Sequence, residues 1–129
     1  MKANLDESQP IYIQIAEIIE DEILKENIEE EERVMSTNEL SEFYQINPAT
    51  AGKGLNLLVD QGILYKKRGM GMYVAEKARE KIIDKRKNEF HKQYIKDVVK
   101  EAVKLGITKQ ELLMMIKNID FEEIKEGSR

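Results

Sequence analysis

Two helix-start signals stand so close together that only one short helix fits between them, which limits the folds open to this chain. The first is Ser36-Thr37-Asn38-Glu39, in which Ser36 and Glu39 have the spacing of a capping box. There a hydroxyl and a carboxylate each satisfy an amide that helix geometry leaves unbonded. The second is Asn47-Pro48, a capping side chain followed by a residue whose missing N–H costs nothing at the first helical position. The helix between them should turn Leu40 and Phe43 inward and end near Tyr44-Gln45-Ile46. The next should run from Pro48 to Gln61 through Leu55, Leu58 and Val59, and stop at Gly62, a residue suited to left-handed termination. Two short helices joined this tightly make a helix-turn-helix.

Upstream, Pro10 sits at the first position of a helix on which Ile11, Ile15, Ile18, Ile19 and Ile23 recur at helical spacing. The acids Glu17, Glu20, Asp21 and Glu22 fall mostly on its other side. Glu29–Glu32 has no periodicity and reads as a loop. Downstream of Gly62 the period changes: Ile63-Leu64-Tyr65-Lys66-Lys67 and Met72-Tyr73-Val74-Ala75 read as short strands. Between them, Arg68-Gly69-Met70-Gly71 supplies glycines for a turn. Three helices and then a hairpin is the winged helix order. The expected fold is therefore mainly α with a small β-hairpin. A winged helix-turn-helix domain spans 1–76 and a helical tail spans 77–129.

In the tail, Ala78, Ile82, Phe90, Tyr94, Ile95, Val98, Val99, Ala102 and Val103 form an imperfect apolar stripe. Thr108 and Glu111 repeat the capping-box spacing, and Leu112, Leu113, Met115, Ile116 and Ile119 mark a second amphipathic helix. The two helices should form a hairpin turning at Gly106-Ile107, with Glu122–Arg129 polar and frayed. This apolar surface is too large for a lone hairpin to hide. Part should pack on the first helix and part on a second copy of the chain. Phe90, Tyr94, Val98, Ala102, Leu112, Met115, Ile116 and Ile119 are the expected dimerisation residues.

Charge distribution narrows the function. The net charge is −4, but Met1–Met35 holds three bases against eleven acids, while Gln61–Lys100 holds twelve bases against five acids. The cationic segment begins at Lys66-Lys67-Arg68 and can hold phosphates although the whole chain is anionic. The Lys77–Lys100 part, taken alone, reads as a solvated helix face.

Other chemistry finds few residues. Cysteine is absent, and the single histidine, His91, lies on a lysine-rich helix and reads as a surface or interface residue. Glu29–Glu32 lacks the glycine and spacing of a calcium loop, and no phosphate loop or nucleophile elbow is present. No enzyme activity, metal or cofactor is expected. No apolar run is long enough to cross a bilayer, and the opening Met1–Asp6 does not read as a secretory signal. A cytoplasmic protein without a membrane partner is the expectation.

Three phrases together resemble the GntR family of bacterial regulators, and within it the short YtrA-type branch. Pro10-Ile11-Tyr12-Ile13-Gln14-Ile15 is similar to the family's opening helix. Ile46-Asn47-Pro48-Ala49-Thr50-Ala51 is similar to the branch's approach to its recognition helix, and Gly62–Val74 to the family's wing. Asn38 stands where much of the family has arginine, and Glu30-Glu31-Glu32-Arg33 replaces the usual Pro-Gly turn. The resemblance implies a homodimeric transcription regulator, a repressor, that binds double-stranded operator DNA. It also implies a tail for dimerisation without a large effector domain, and a target in a neighbouring operon, often one encoding a transporter. The alternative is a winged helix used for protein contact, with the acidic first-helix region as docking surface. A small hydrolase is a third reading, which the missing catalytic sets disfavour.

A recognition helix places its N-terminal residues near base edges in the major groove, and dimers read half-sites about one helical turn apart. The operator should therefore be an inverted repeat. Asn47, Ala49, Thr50 and Lys53 occupy the helix start, with Asn56 one turn on. Thr50 can meet a phosphate or base or merely support the first turn. Ala49 can meet a thymine methyl, and Lys53 a guanine edge or phosphate. The helix start adds partial positive charge and open N–H groups suited to phosphate. Ser36 can cap its helix and also touch the backbone, beside Asn38. At the wing, Arg68 is the residue for minor-groove insertion, Lys66 and Lys67 for backbone contact, and Gly69 for close approach. Gly52 and Gly54 are costly inside a helix. Either the backbone approaches DNA or a neighbouring helix closely there, or the helix firms up only when bound.

Overall fold

Pro10, extended at φ −52° and ψ 141°, is the cap of the first helix rather than its first residue, and its carbonyl accepts from Ile13 and Gln14. The computed structural model describes residue 1 and residues 4–127. Lys2 and Ala3, in the opening read as lacking a secretory signal, lie outside the described residues, as do Ser128 and Arg129, the end of the stretch expected to fray.

Helix α1 (Ile11–Leu24) leads to α2 (Thr37–Tyr44) and α3 (Pro48–Asp60), then to the antiparallel strands β1 (Leu64–Lys67) and β2 (Gly71–Val74). Both expected start signals are realised. Ser36 Oγ accepts from Glu39 N at 3.1 Å while Glu39 Oε1 accepts from Ser36 N at 3.1 Å, and Asn47 Oδ1 accepts from Ala49 N at 2.8 Å. Gln45, left-handed at φ +54°, ends α2, and Gly62 at φ +73° follows the end of α3. Ile15, Ile19, Leu40, Leu55, Leu58, Ile63, Leu64 and Val74 then meet in one buried core, joined by Ala78 and Ile82 from α4 (Ala78–Phe90). Each buried Ile, Leu or Val side chain contributes roughly 1.5–3 kcal/mol relative to exposure.

Three further expectations are corrected, and one holds in a more ordered form. Phe43 is 57 % exposed, because Tyr44, one helical turn beyond Leu40, takes the inward place and meets the Phe43 ring edge-on. Glu20 and Glu22 are buried rather than on the solvent side. Glu20 is held there by Lys85 and Arg86, and Glu22 by Asn27 and the Met1 ammonium. Glu29–Glu32 is a loop, as expected, and its backbone is tied to the hairpin. Glu31 N donates to Val74 O, Val74 N to Glu32 O and Val34 N to Met72 O, so Glu31–Val34 lies along the open edge of β2. Finally, Glu122–Gly127 is helical, in α7 (Phe121–Gly127), because Asp120 Oδ1 accepts from the amides of Glu122 and Glu123.

The chain divides into two compact units, Met1–Arg86 and Lys87–Arg129. Within the second, one turn of π-helix (His91–Ile95) precedes α5 (Lys96–Lys104), and Gly106 at φ +71° separates α5 from α6 (Lys109–Lys117). The expected capping box forms, with Thr108 Oγ1 accepting from Glu111 N at 3.1 Å. The apolar stripe is imperfect for a physical reason. Its first two members, Ala78 and Ile82, serve the core of the first unit, and the π turn then adds a residue to the helical period. Phe90, Tyr94, Val98, Met115, Ile116 and Ile119 are exposed, Leu112 is half-buried and Ala102 is buried. Ala102 therefore supports this face from beneath and does not present a surface. No described helix is long and apolar enough to cross a membrane.

Candidate nucleic-acid interface

The start of α3, the start of α2 and the hairpin are linked through two side chains. Thr37, the first residue of α2, packs across Gly52 of α3, its Cγ2 lying 3.7 Å from where a β-carbon there would sit. Arg33 Nη1 donates to Glu39 Oε1 at 2.8 Å, while the stem of Arg33 lies along Gly71 at the hairpin, its Cδ 3.6 Å from the corresponding position. The hairpin pairs Tyr65 with Tyr73 and Lys67 with Gly71, and Met70 N donates to Lys67 O to close a loop centred on Arg68 and Gly69. Gly69 at φ +77° occupies a left-handed position that a side chain would strain.

On α3, Ala49, Lys53 and Asn56 are exposed and Thr50 is half-buried. Tyr12, Ala49, Gly52, Lys53, Asn56, Leu57 and Asp60 line an open groove of about 530 Å³. Lys53 Nζ lies 4.0 Å above the Tyr12 ring. At the hairpin, Lys66, Arg68 and Gly69 are exposed, and among the described residues neither Lys66 nor Arg68 makes an ion pair. Lys67 Nζ lies 4.3 Å from the centroid of Tyr73. Lys66 and Arg68 can meet phosphate without first breaking an ion pair.

The start of α3 offers fewer open amides than expected. Pro48 has none, Ala49 N is taken by Asn47 Oδ1 and Thr50 N by Asn47 O, so the helix dipole remains but the donors are used. Asn47 is exposed, yet its side-chain oxygen serves the cap. Ser36 likewise spends its side chain on Glu39, and Asn38 beside it is exposed. At the start of α2 the Glu39 carboxylate is paired with Arg33. The hydrogen bond from Arg33, with those from Ser36, holds the Glu39 carboxyl at about 2, far below its ordinary 4.5.

The rest of the cationic segment has another use. Arg79 Nε donates to Leu24 O and Lys81 Nζ to Gly62 O, while Lys85 and Arg86 pair with Glu20 and Asp21. These four residues fasten α4 to α1 and to the end of α3 and are not open to a ligand, whereas Lys66 and Arg68 at the hairpin are exposed.

No family model matches the chain. A GntR-family transcriptional regulator of known structure from Bacteroides thetaiotaomicron is 33 % identical, with a TM-score of 0.73 over 91 % of this chain and 98 % of its own. The chain belongs to the GntR family of transcriptional regulators. Two Bacillus subtilis proteins are similar over nearly the full length of this GntR regulator. The HTH-type regulator YhcF is 31 % identical over 91 % of this chain and 95 % of its own. The HTH-type repressor YtrA is 29 % identical over 95 % and 92 %, which sets the chain in the YtrA-like branch. The DNA-binding domain of AraR, solved in complex with operator ORE1, is 30 % identical over 58 % of this chain and 94 % of its own, with a TM-score of 0.51.

In this GntR regulator, sequence reasoning missed Tyr12, Arg33 and Thr37. Tyr12 was legible only as part of an opening phrase, and the position of its ring depends on how closely α1 and α3 approach. Gly54 decides that approach. A β-carbon there would lie 2.9 Å from both Tyr12 O and Ile15 Cγ2, so close contact with the neighbouring helix accounts for this glycine. Gly52 has ordinary space around it.

Proposed function

We propose that this GntR regulator is a repressor that binds double-stranded operator DNA as a homodimer. Helix 48–61 reads an inverted repeat in the major groove, and wing 63–75 lies on the adjacent minor groove and its phosphates. The observation that carries this reading is the combination of an exposed α3 face with hairpin cations that have no acidic partner. Ala49, Lys53 and Asn56 face solvent, and so do Lys66 and Arg68. The operator complex of the similar AraR domain and the repressor name of YtrA support it.

Lys53 supplies a donor for a guanine edge or a phosphate, Asn56 one for an adenine edge, and Ala49 a small apolar surface for a thymine methyl. Thr50, Asn47, Ser36 and Asn38 lie beside them for phosphate contact. Lys66, Lys67 and Arg68 neutralise the backbone at the wing, where Gly69 permits close approach. Residues 1–76 carry the reading head and residues 77–129 the dimerisation tail, whose exposed apolar residues begin at Phe90. Phe90, Tyr94, Val98, Met115, Ile116 and Ile119 pack against the second copy, with Leu112 at the edge. A protein that reads the chromosome works in the cytoplasm.

Selection from random-sequence DNA tests the proposal. The full chain should enrich an inverted repeat with half-sites about one helical turn apart, bound as two protomers per fragment. Enrichment of unrelated sequences, or of single half-sites bound by one protomer, would contradict it.

A further inference from the structure

We propose that Tyr12 is a positioning residue for Lys53 in operator recognition, and that the absence of a side chain at Gly54 seats it there. This rests on α3 being the helix that reads DNA. Lysine carries an ammonium on a flexible four-carbon stem, and fixing that stem opposes binding. Here the ammonium is already located, 4.0 Å from the centroid of the Tyr12 ring, where the negative face of the ring attracts it. Lys53 is exposed, so the ring confines it while leaving it open to a ligand.

The placement follows from backbone packing. With a β-carbon at position 54 only 2.9 Å from Tyr12 O and from Ile15 Cγ2, α1 would have to withdraw from α3 and carry Tyr12 with it. Tyr12 and Lys53 line the same groove as Ala49 and Asn56, the residues that face base edges in this reading. Tyr12 therefore acts on DNA through Lys53, from a helix outside the helix-turn-helix.

The test uses the full chain and the inverted-repeat fragment selected by the wild type. Four variants are compared: Tyr12→Phe, Tyr12→Leu, Lys53→Met, and Tyr12→Leu with Lys53→Met. Exposed cation–π contacts correspond to about a two- to fivefold change in affinity per half-site. With two half-sites on the fragment, Tyr12→Leu should weaken binding by the square of that factor, about four- to twenty-fivefold, and Tyr12→Phe should bind as the wild type does. The double variant should bind as Lys53→Met does, because the ring has nothing left to position. Equal weakening by Tyr12→Leu with and without Lys53 would show a structural role only and overturn the proposal, as would Tyr12→Phe as weak as Tyr12→Leu. If Lys53→Met weakens binding and Tyr12→Leu does not, this inference alone fails. If Lys53→Met binds like the wild type, the reading of α3 fails with it.

Discussion

Arg86 Nη2 lies 3.1 Å from Oε1 of Glu20, a carboxylate only 2 % exposed, and so ties α4 to the middle of α1. Lys85 reaches the other oxygen of Glu20, and Arg86 Nη1 meets Asp21 Oδ1 at 2.9 Å. Burial lowers the Arg86 pKa, but the bonds to Asp21 and Glu20 outweigh it and leave the value raised. The two basic side chains reach water at 27 % and 34 % exposure, whereas the acid does not.

That inequality predicts an asymmetric response to mutation. Glu20→Ala leaves two cations that can hydrate and should cost about 1–3 kcal/mol. Lys85→Ala with Arg86→Ala strands a buried carboxylate and should cost about 3–5 kcal/mol, the range for a buried charge stripped of its partner. Urea denaturation of both variants checks the order; equal losses would mean that Glu20 is reached by water.

The two glycines of α3 should respond in opposite directions. Gly54→Ala places a β-carbon 2.9 Å from Tyr12 O and Ile15 Cγ2, and overpacking of about 1–3 kcal/mol exceeds the roughly 1 kcal/mol gained in helix propensity. Gly52→Ala meets nothing nearer than Thr37 Cγ2 at 3.7 Å, so the propensity gain stands and the variant should be more stable than the wild type. Thermal unfolding separates them by the sign of the shift.

Glu39 sets an acid limit. Its carboxyl is held at about 2 by the hydrogen bonds from Arg33 and Ser36, against an ordinary 4.5. A lowered pKa in the folded state means that the ionised form supports folding. This contribution is complete above pH 4.5 and is lost as the pH falls through about 2. An NMR titration of the Glu39 carboxyl should have its midpoint near 2, and Arg33→Ala should move it toward 4.5. A wild-type midpoint near 4.5 would mean that the Arg33 contact does not form in solution.

Much of the fold was legible because its signals are local. The capping boxes at Ser36 and Thr108, the Asn47-Pro48 start and the Gly62 stop each act within a few residues, and each is realised. What escaped depends on partners distant in sequence. Glu20 belongs to the polar side of α1 by period alone, and only Lys85 and Arg86, brought from the far end of the domain, make its burial tolerable. The basic run from Lys66 to Lys100 looked continuous, but tertiary contacts assign its α4 portion to structure. Glu29–Glu32 is the loop its lack of period implies, but the bonds that tie Glu31 and Glu32 to Val74 join residues distant in sequence and leave no local signal. At the site, Lys53 and Arg68 were legible as exposed cations, whereas the ring under Lys53 was not.

The proposal that α3 and the wing meet the operator backbone together is tested most directly by the salt dependence of operator binding. Log affinity falls with log salt concentration at a slope of about −0.9 per neutralised phosphate. Lys53→Ala with Arg68→Ala removes four cations from a dimer. It should weaken operator binding severely and make the slope shallower by roughly 3 to 4, while sedimentation still reports two protomers. Unchanged affinity and slope in a folded, dimeric double variant would place the DNA on another surface.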